Sequence, residues 1–146
     1  MKKFLAFLVP LMSFSLTALP TIGGGRQVGD GNLAEVGLGV MPAPPAKAAA
    51  ATLTMAELTS GIIACTSSGS YSLTTMTGTE IDAALVSAKV GSCFDLAINH
   101  ASATNVITLA GGTGVTVVGL ATVTGITSGS FRFRKTGTAT WSVYRI

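Results

Sequence analysis

Few side chains in this chain are placed to do chemistry. Asp95 and His100 flank Asn99 and are the only acid–imidazole pair close together in sequence, in a chain rich in Ser and Thr. Such types can build a nucleophile–base–acid relay, but no G-x-S-x-G elbow holds a serine ready for attack. His100 therefore reads as a solvated residue of the turn Asn99-His-Ala-Ser-Ala103. Glu80 and Asp82 lie two apart on a helical stretch and point away from each other, so they are not a carboxylate pair for glycosyl transfer. They read as charges that complement a helix start. Cys65, Cys93 and a single histidine cannot complete a four-ligand zinc set. Gly29-Asp30-Gly31 lacks the strand, helix and Lys-Ser/Thr of a phosphate loop. No enzyme activity, metal or cofactor is expected.

Composition points elsewhere. The chain carries nine Lys and Arg against six Asp and Glu in 146 residues, where a soluble domain devotes about a quarter of its residues to these types. Thr, Ser, Gly and Ala fill the places where charge would solvate a surface. Such a surface suits a chain covered by its own copies or by a larger assembly. The net charge of +3 does not argue for nucleic acid, and none is expected as a partner. The distribution is uneven: no acid follows Asp95, whereas Arg132, Arg134, Lys135 and Arg145 crowd the end. Arg132, Arg134 and Lys135 read as a basic stripe that could meet an acidic neighbour.

At the other end, Lys2 and Lys3 precede an apolar run from Phe4 to Leu19. Basic residues before a short apolar stretch resemble a secretion signal. The run falls short of the roughly 20 residues that span a bilayer, so no membrane span is expected. No A-x-A site closes the run and Pro20 follows it, so the segment is expected to be retained. Phe4, Leu5, Phe7, Leu8, Leu11 and Phe14 are then candidate partner contacts. Glycines dominate residues 20–40, an extended arm, and Met41-Pro-Ala-Pro-Pro45 with an alanine run forms a semi-rigid spacer. Residues 1–51 thus read as arm and linker, and 52–146 as a β-rich oligomerisation domain.

Within that domain, Thr54-Met-Ala-Glu57 has capping-box spacing. Thr79 to Lys89 reads as the one substantial helix, capped by Thr79 and with Ile81, Ala84, Leu85 and Ala88 along one face. Strands are expected at 61–65, 70–75, 92–99, 106–110, 115–118, 120–124, 130–135 and 140–146. Phe94, Leu96 and Ile98 share a face. Phe131, Phe133, Trp141 and Val143 form one buried cross-strand face, with Arg132 and Arg134 opposite. The fold class is mainly β: a small antiparallel sandwich, jelly-roll-like or barrel domain with one short helix, behind an extended arm.

Residues 52–146 resemble a module of small structural proteins in tailed bacteriophages. The resemblance is carried by Leu58-Thr-Ser-Gly-Ile-Ile63, Val86-Ser-Ala-Lys-Val-Gly91 and Ser92-Cys-Phe-Asp-Leu-Ala-Ile-Asn99. Ile107-Thr-Leu-Ala-Gly-Gly-Thr-Gly-Val-Thr116, Phe131-Arg-Phe-Arg-Lys-Thr136 and Val143-Tyr-Arg-Ile146 complete it. It implies a capsid decoration (cement) or head-fibre subunit of the virion, commonly a homotrimer, with the major capsid protein as partner. A receptor- or glycan-binding tip is the alternative, although Tyr71, Trp141 and Tyr144 fall on strands and not on loops. The signal-like N-terminus departs from the pattern of a cytoplasmically assembled virion protein. It keeps open a secreted bacterial surface protein in which Cys65 and Cys93 are bridged; in a virion both are expected to be free thiols.

Overall fold

The computed structural model of the protein describes residues 41–66 and 68–146. The chain divides into two units, 1–40 and 41–146, and the elements below all belong to the second. Its first strands are short. β1 (Ala46–Lys47) and β2 (Ala51–Thr52) have two residues each, and β1 directly follows the prolines at 42, 44 and 45. Residues 41–51, expected as a spacer, therefore already supply a strand and the start of another.

The chain then winds through the same two sheets again. α1 (Met55–Leu58) is one turn, closed by the expected capping box: Thr54 N–H donates to the Glu57 carboxylate at 2.9 Å, and Glu57 N–H donates to Thr54 Oγ1 at 3.4 Å. β3 (Ile62–Cys65) lies parallel to β1, and β4 (Tyr71–Thr74) lies parallel to β2. After α2 (Gly78–Ala84), β5 (Cys93–His100) joins β3 and β6 (Val106–Ala110) joins β4, again in parallel. Parallel neighbours need a crossover, and here each crossover is the pass through the opposite sheet.

Four strands finish the unit: β7 (Val115–Val118), β8 (Thr122–Thr124), β9 (Thr127–Gly137) and β10 (Thr140–Arg145). β9 runs antiparallel along the whole of β5, from Cys93 opposite Arg134 to His100 opposite Thr127. β10 returns antiparallel to β9, β7 lies parallel to β10, and β8 lies antiparallel to β6. The six-stranded sheet thus has the order β1-β3-β5-β9-β10-β7, and the four-stranded sheet β2-β4-β6-β8. Their inner faces meet in one apolar cluster that includes Leu73, Leu96, Ile98, Ile107, Phe131 and Phe133.

The mainly β, two-sheet architecture is the one expected, and Phe131, Phe133, Trp141 and Val143 are buried together as the alternation required. The pairing is mixed, not wholly antiparallel. Alternation reports which face of a strand is buried and carries no record of its direction. Two helical segments are present, the single turn that the capping box at Thr54 announced and one longer helix. The longer begins at Gly78, capped by Thr77 in a second capping box with Glu80, and ends at Ala84 with Leu85 as its C-cap, well short of Lys89. Thr77 wins over Thr79 because Glu80 closes the box with it, whereas Asp82, three positions after Thr79, is taken by Ala139, Trp141 and Lys135. The arm at 1–40, including Gly29-Asp30-Gly31, lies outside the described residues.

The start of α2 sits against the β9–β10 turn. Gly78 N–H donates to Thr113 O at 2.8 Å, and Trp141 N–H donates to Gly114 O at 2.9 Å. A Cβ on Gly78 would overlap the Ala139 carbonyl, as would one on Gly114, whose φ of +80° favours glycine in any case. Because the obstacle is backbone, Gly78→Ala is expected to destabilise the protein by about 2–3 kcal/mol in urea unfolding. A loss below ~0.5 kcal/mol would mean that α2 can move off the turn at little expense.

Candidate interaction surface

Alternation along β9 decides where the basic residues go. Arg132 and Arg134 stand on the outer face of the six-stranded sheet, opposite the buried Phe131 and Phe133. Across the ladder they meet Asp95 and Cys93 of β5 on one side, and Tyr144 and Ser142 of β10 on the other. Arg132 makes a two-pronged contact with Asp95, Nε to Oδ1 at 2.8 Å and Nη2 to Oδ2 at 2.7 Å. The guanidinium holds the Asp95 carboxyl below the usual range, and the carboxylate raises Arg132 in turn. Both groups are half exposed, so this pair fixes register on the face more than it adds stability. Arg134 is exposed, with no acidic partner among the described residues.

Lys135 departs from the expected stripe. It is opposite Trp141 in the ladder and shares the inner side of the sheet. Its Nζ lies 5.9 Å from the Trp141 ring centroid and 2.8 Å from Asp82 Oδ1. The residues 132–135 therefore do not form one basic patch: the outer face holds one paired and one unpaired arginine.

Asp82 also departs from its expected role. Glu80 caps α2, but Asp82 reaches the hairpin instead. Its Oδ1 accepts from the Trp141 indole N–H at 2.9 Å, and its Oδ2 accepts from Ala139 N–H at 2.9 Å. Ala139 has φ 52°, a left-handed conformation uncommon outside glycine and asparagine. The cluster was missed in the sequence, where the available signal was Trp141 itself, since a buried indole N–H needs an acceptor.

Asp95 and His100 do not meet. Asp95 is on the outer face, while His100 is fully buried on the inner face at the end of β5, level with Cys65 of β3. The relay pictured from their spacing is not assembled, and the expectation of a solvated turn histidine is replaced by a core histidine. Neither ring nitrogen has a hydrogen-bond partner among the described residues. Strand β5 runs one residue further than its alternation suggested, and that residue carries the imidazole inward.

Both cysteines are free, Cys65 buried and Cys93 exposed. They stand on opposite faces of the sheet and at opposite ends of β5 from each other's level. Burial pushes the Cys65 thiol up, against the opposing pull of the Tyr71 hydroxyl and the Lys47 charge. Tyr71 donates to Lys47 O at 2.9 Å and is raised by burial and by Cys65. Beside Cys93 an open groove of about 260 Å³ is lined by Thr59, Leu85, Ala88, Phe94 and Trp141 among others. Its lining is aromatic and aliphatic, together with the hydroxyl residues Thr59, Ser87 and Ser92. Among the described residues no group of three or more His, Cys, Asp or Glu is placed to hold a metal ion, and no helix is long and apolar enough to cross a membrane. Phe4, Leu5, Phe7, Leu8, Leu11 and Phe14 lie outside the described residues.

The outer face of the four-stranded sheet is simpler still. Thr52 stands level with Thr74, Ser72 with Thr108, and Thr108 with Thr122. Among the described residues this face carries hydroxyls, with Val106 and Ala110 between them, and no charged side chain of its four strands. No family model matches the chain, and no curated protein or solved structure matches it.

The Asp82 cluster makes a pH prediction. The Lys135 ammonium, with the Ala139 N–H and the Trp141 indole, holds the Asp82 carboxyl at about 2, well below its ordinary 3.8. A folded-state value below the unfolded one means stability that is fully present above about pH 4 and lost as pH falls toward 2. Thermal midpoints of the wild type and Asp82→Asn, followed from pH 6 to 2, are therefore expected to differ at neutral pH and converge at the acid end. A constant gap across that range would show that the carboxylate's charge contributes nothing.

Proposed function

We propose that this chain is a non-enzymatic structural protein of a virion, a capsid decoration (cement) subunit. Its β unit forms the assembled body, as a self-associated oligomer, and its N-terminal residues attach to the major capsid protein. The observation that carries the reading is how the body spends its charge. Lys47 pairs with Glu57 at 2.6 Å, Arg132 with Asp95 at 2.7 Å and Lys135 with Asp82 at 2.8 Å, while Glu80 caps α2. Every acid of the described residues is thus engaged within the unit. What remains outside is mostly hydroxyl, methyl and backbone. Covering such a surface strips water from few ions, which is the costly step when charged surfaces are buried.

Two features weigh against the rival readings. A sugar-binding tip commonly stacks its ligand on an aromatic ring carried by a loop; here Trp141 is only 1% exposed, and Tyr144, which is exposed, is held on strand β10. A secreted protein stapled by Cys65–Cys93 would need those residues brought from opposite faces of one sheet.

The first test is location. Mass spectrometry of purified virions is expected to recover the chain, and its absence from particles would end the proposal. The second is attachment. Deleting residues 1–40 is expected to leave the circular dichroism of a folded β protein, since the body begins at Met41. The same deletion should weaken binding to particles stripped of the protein by at least tenfold, about 1.4 kcal/mol. Full occupancy by the truncated chain would move attachment onto the β unit, with Arg134 the first residue to reverse in charge.

A further inference from the structure

Each sheet has two edges, and an edge strand is a template for another strand unless something blunts it. Three of the four edges here are blunted. β1 and β2 are two residues long, β1 follows the paired prolines at 44 and 45, and β1 ends on Lys47. β8 has three residues, and the Arg145 guanidinium caps its Thr122 carbonyl. β7 has none of these devices. It reads Val115-Thr-Val-Val118, flanked by Gly114 and Gly119, with no charge and no proline. Among the described residues it pairs only with β10.

The free groups on this edge can be named. Trp141 N–H donates to Gly114 O, and in a parallel ladder alternate residues face the partner strand. Thr116 and Val118 therefore bond toward β10, and Val117 turns both its N–H and its C=O outward. Apolar side chains gather at the same corner. Val118 is 43% exposed and lies level with Tyr144, which is 37% exposed; Leu120 and Ile146, just beyond them, are 61% and 59% exposed.

We propose that β7 pairs antiparallel with β7 of a second copy of this chain, about a two-fold axis at Val117. That register lets the two Val117 residues exchange both hydrogen bonds. It sets Val118 beside the partner's Thr116 and joins the two six-stranded sheets edge to edge. A second copy is the fitting occupant because the segment is uncharged, so an isologous contact meets no like charges. The inference concerns self-association and does not depend on attachment to a capsid.

The test is sedimentation velocity of the full chain over micromolar concentrations. The wild type is expected to associate. Val118→Lys sets a charge of each copy near the contact and is expected to weaken association at least tenfold. Val117→Pro removes the outward N–H without touching the β10 ladder and is expected to do the same. Thr124→Lys, on the other sheet, should leave association unchanged. Should Val117→Pro lose its circular dichroism, Val118→Lys decides alone, because its side chain is on the surface. A wild type that stays monomeric, or an association that Val118→Lys leaves intact, would overturn the proposal.

Discussion

One carboxylate ties together parts of this fold that no strand ladder joins. Asp82, in α2, accepts from Ala139 at the β9–β10 turn, from the Trp141 indole on β10, and from Lys135 on β9. The parallel passes and the antiparallel hairpin are built by different rules; the β5–β9 ladder joins them within one sheet, and α2 joins them a second time where it rests on the turn. That contact is close enough that Gly78 and Gly114 have no room for a Cβ. The left-handed Ala139 is held there because its N–H has a charged acceptor waiting. Trp141 can then bury a large ring without orphaning its donor, and its ring in turn covers Phe94, which stacks on Phe133 with centroids 4.8 Å apart.

Alternation in a sequence is a record of burial, and where burial decides the structure the reading succeeds. Phe131, Phe133, Trp141 and Val143 are on one face because each is apolar and each neighbour is not. The capping box at Thr54 was legible for a related reason, since both of its bonds join residues three apart. The misreadings share a cause as well. α2 was placed too late because Thr79 also looks like a cap, and the choice falls to Thr77 through its pairing with Glu80. His100 reads as a turn residue in sequence because nothing local says that β5 carries on beside β3 and β9 to that point. Lys135 was grouped with Arg132 and Arg134 by adjacency in sequence, although the period of a strand puts it on the other side. Asp82 was unreadable because its partners are more than fifty positions away, and only the folded chain brings them together.

The charge economy of the body follows from these contacts. An acid that holds a helix to a hairpin, or a lysine that lies along a tryptophan, is no longer available to solvate the outside. The protein instead exposes hydroxyls, as on the level Thr52–Thr74 and Thr108–Thr122 pairs of the smaller sheet. Hydroxyls can exchange a water for a carbonyl of a neighbour at modest cost, whereas a stranded ion cannot. A surface of this kind gives up little when covered.

The same economy explains why edges matter here. Proteins often defend an open edge with lysine or an inward-pointing charge, and this chain uses both Lys47 and Arg145 at edges while leaving β7 without either. Replacing Thr116 by lysine would be simple for a strand whose Thr116 side chain already faces solvent. The undefended edge is also the one whose neighbouring residues, Val118, Leu120, Tyr144 and Ile146, leave apolar area in water. Each feature alone is ordinary on a monomer. Among the described residues they coincide at one corner, on a unit that blunts its other edges, and that coincidence is what the proposed β7 pairing rests on.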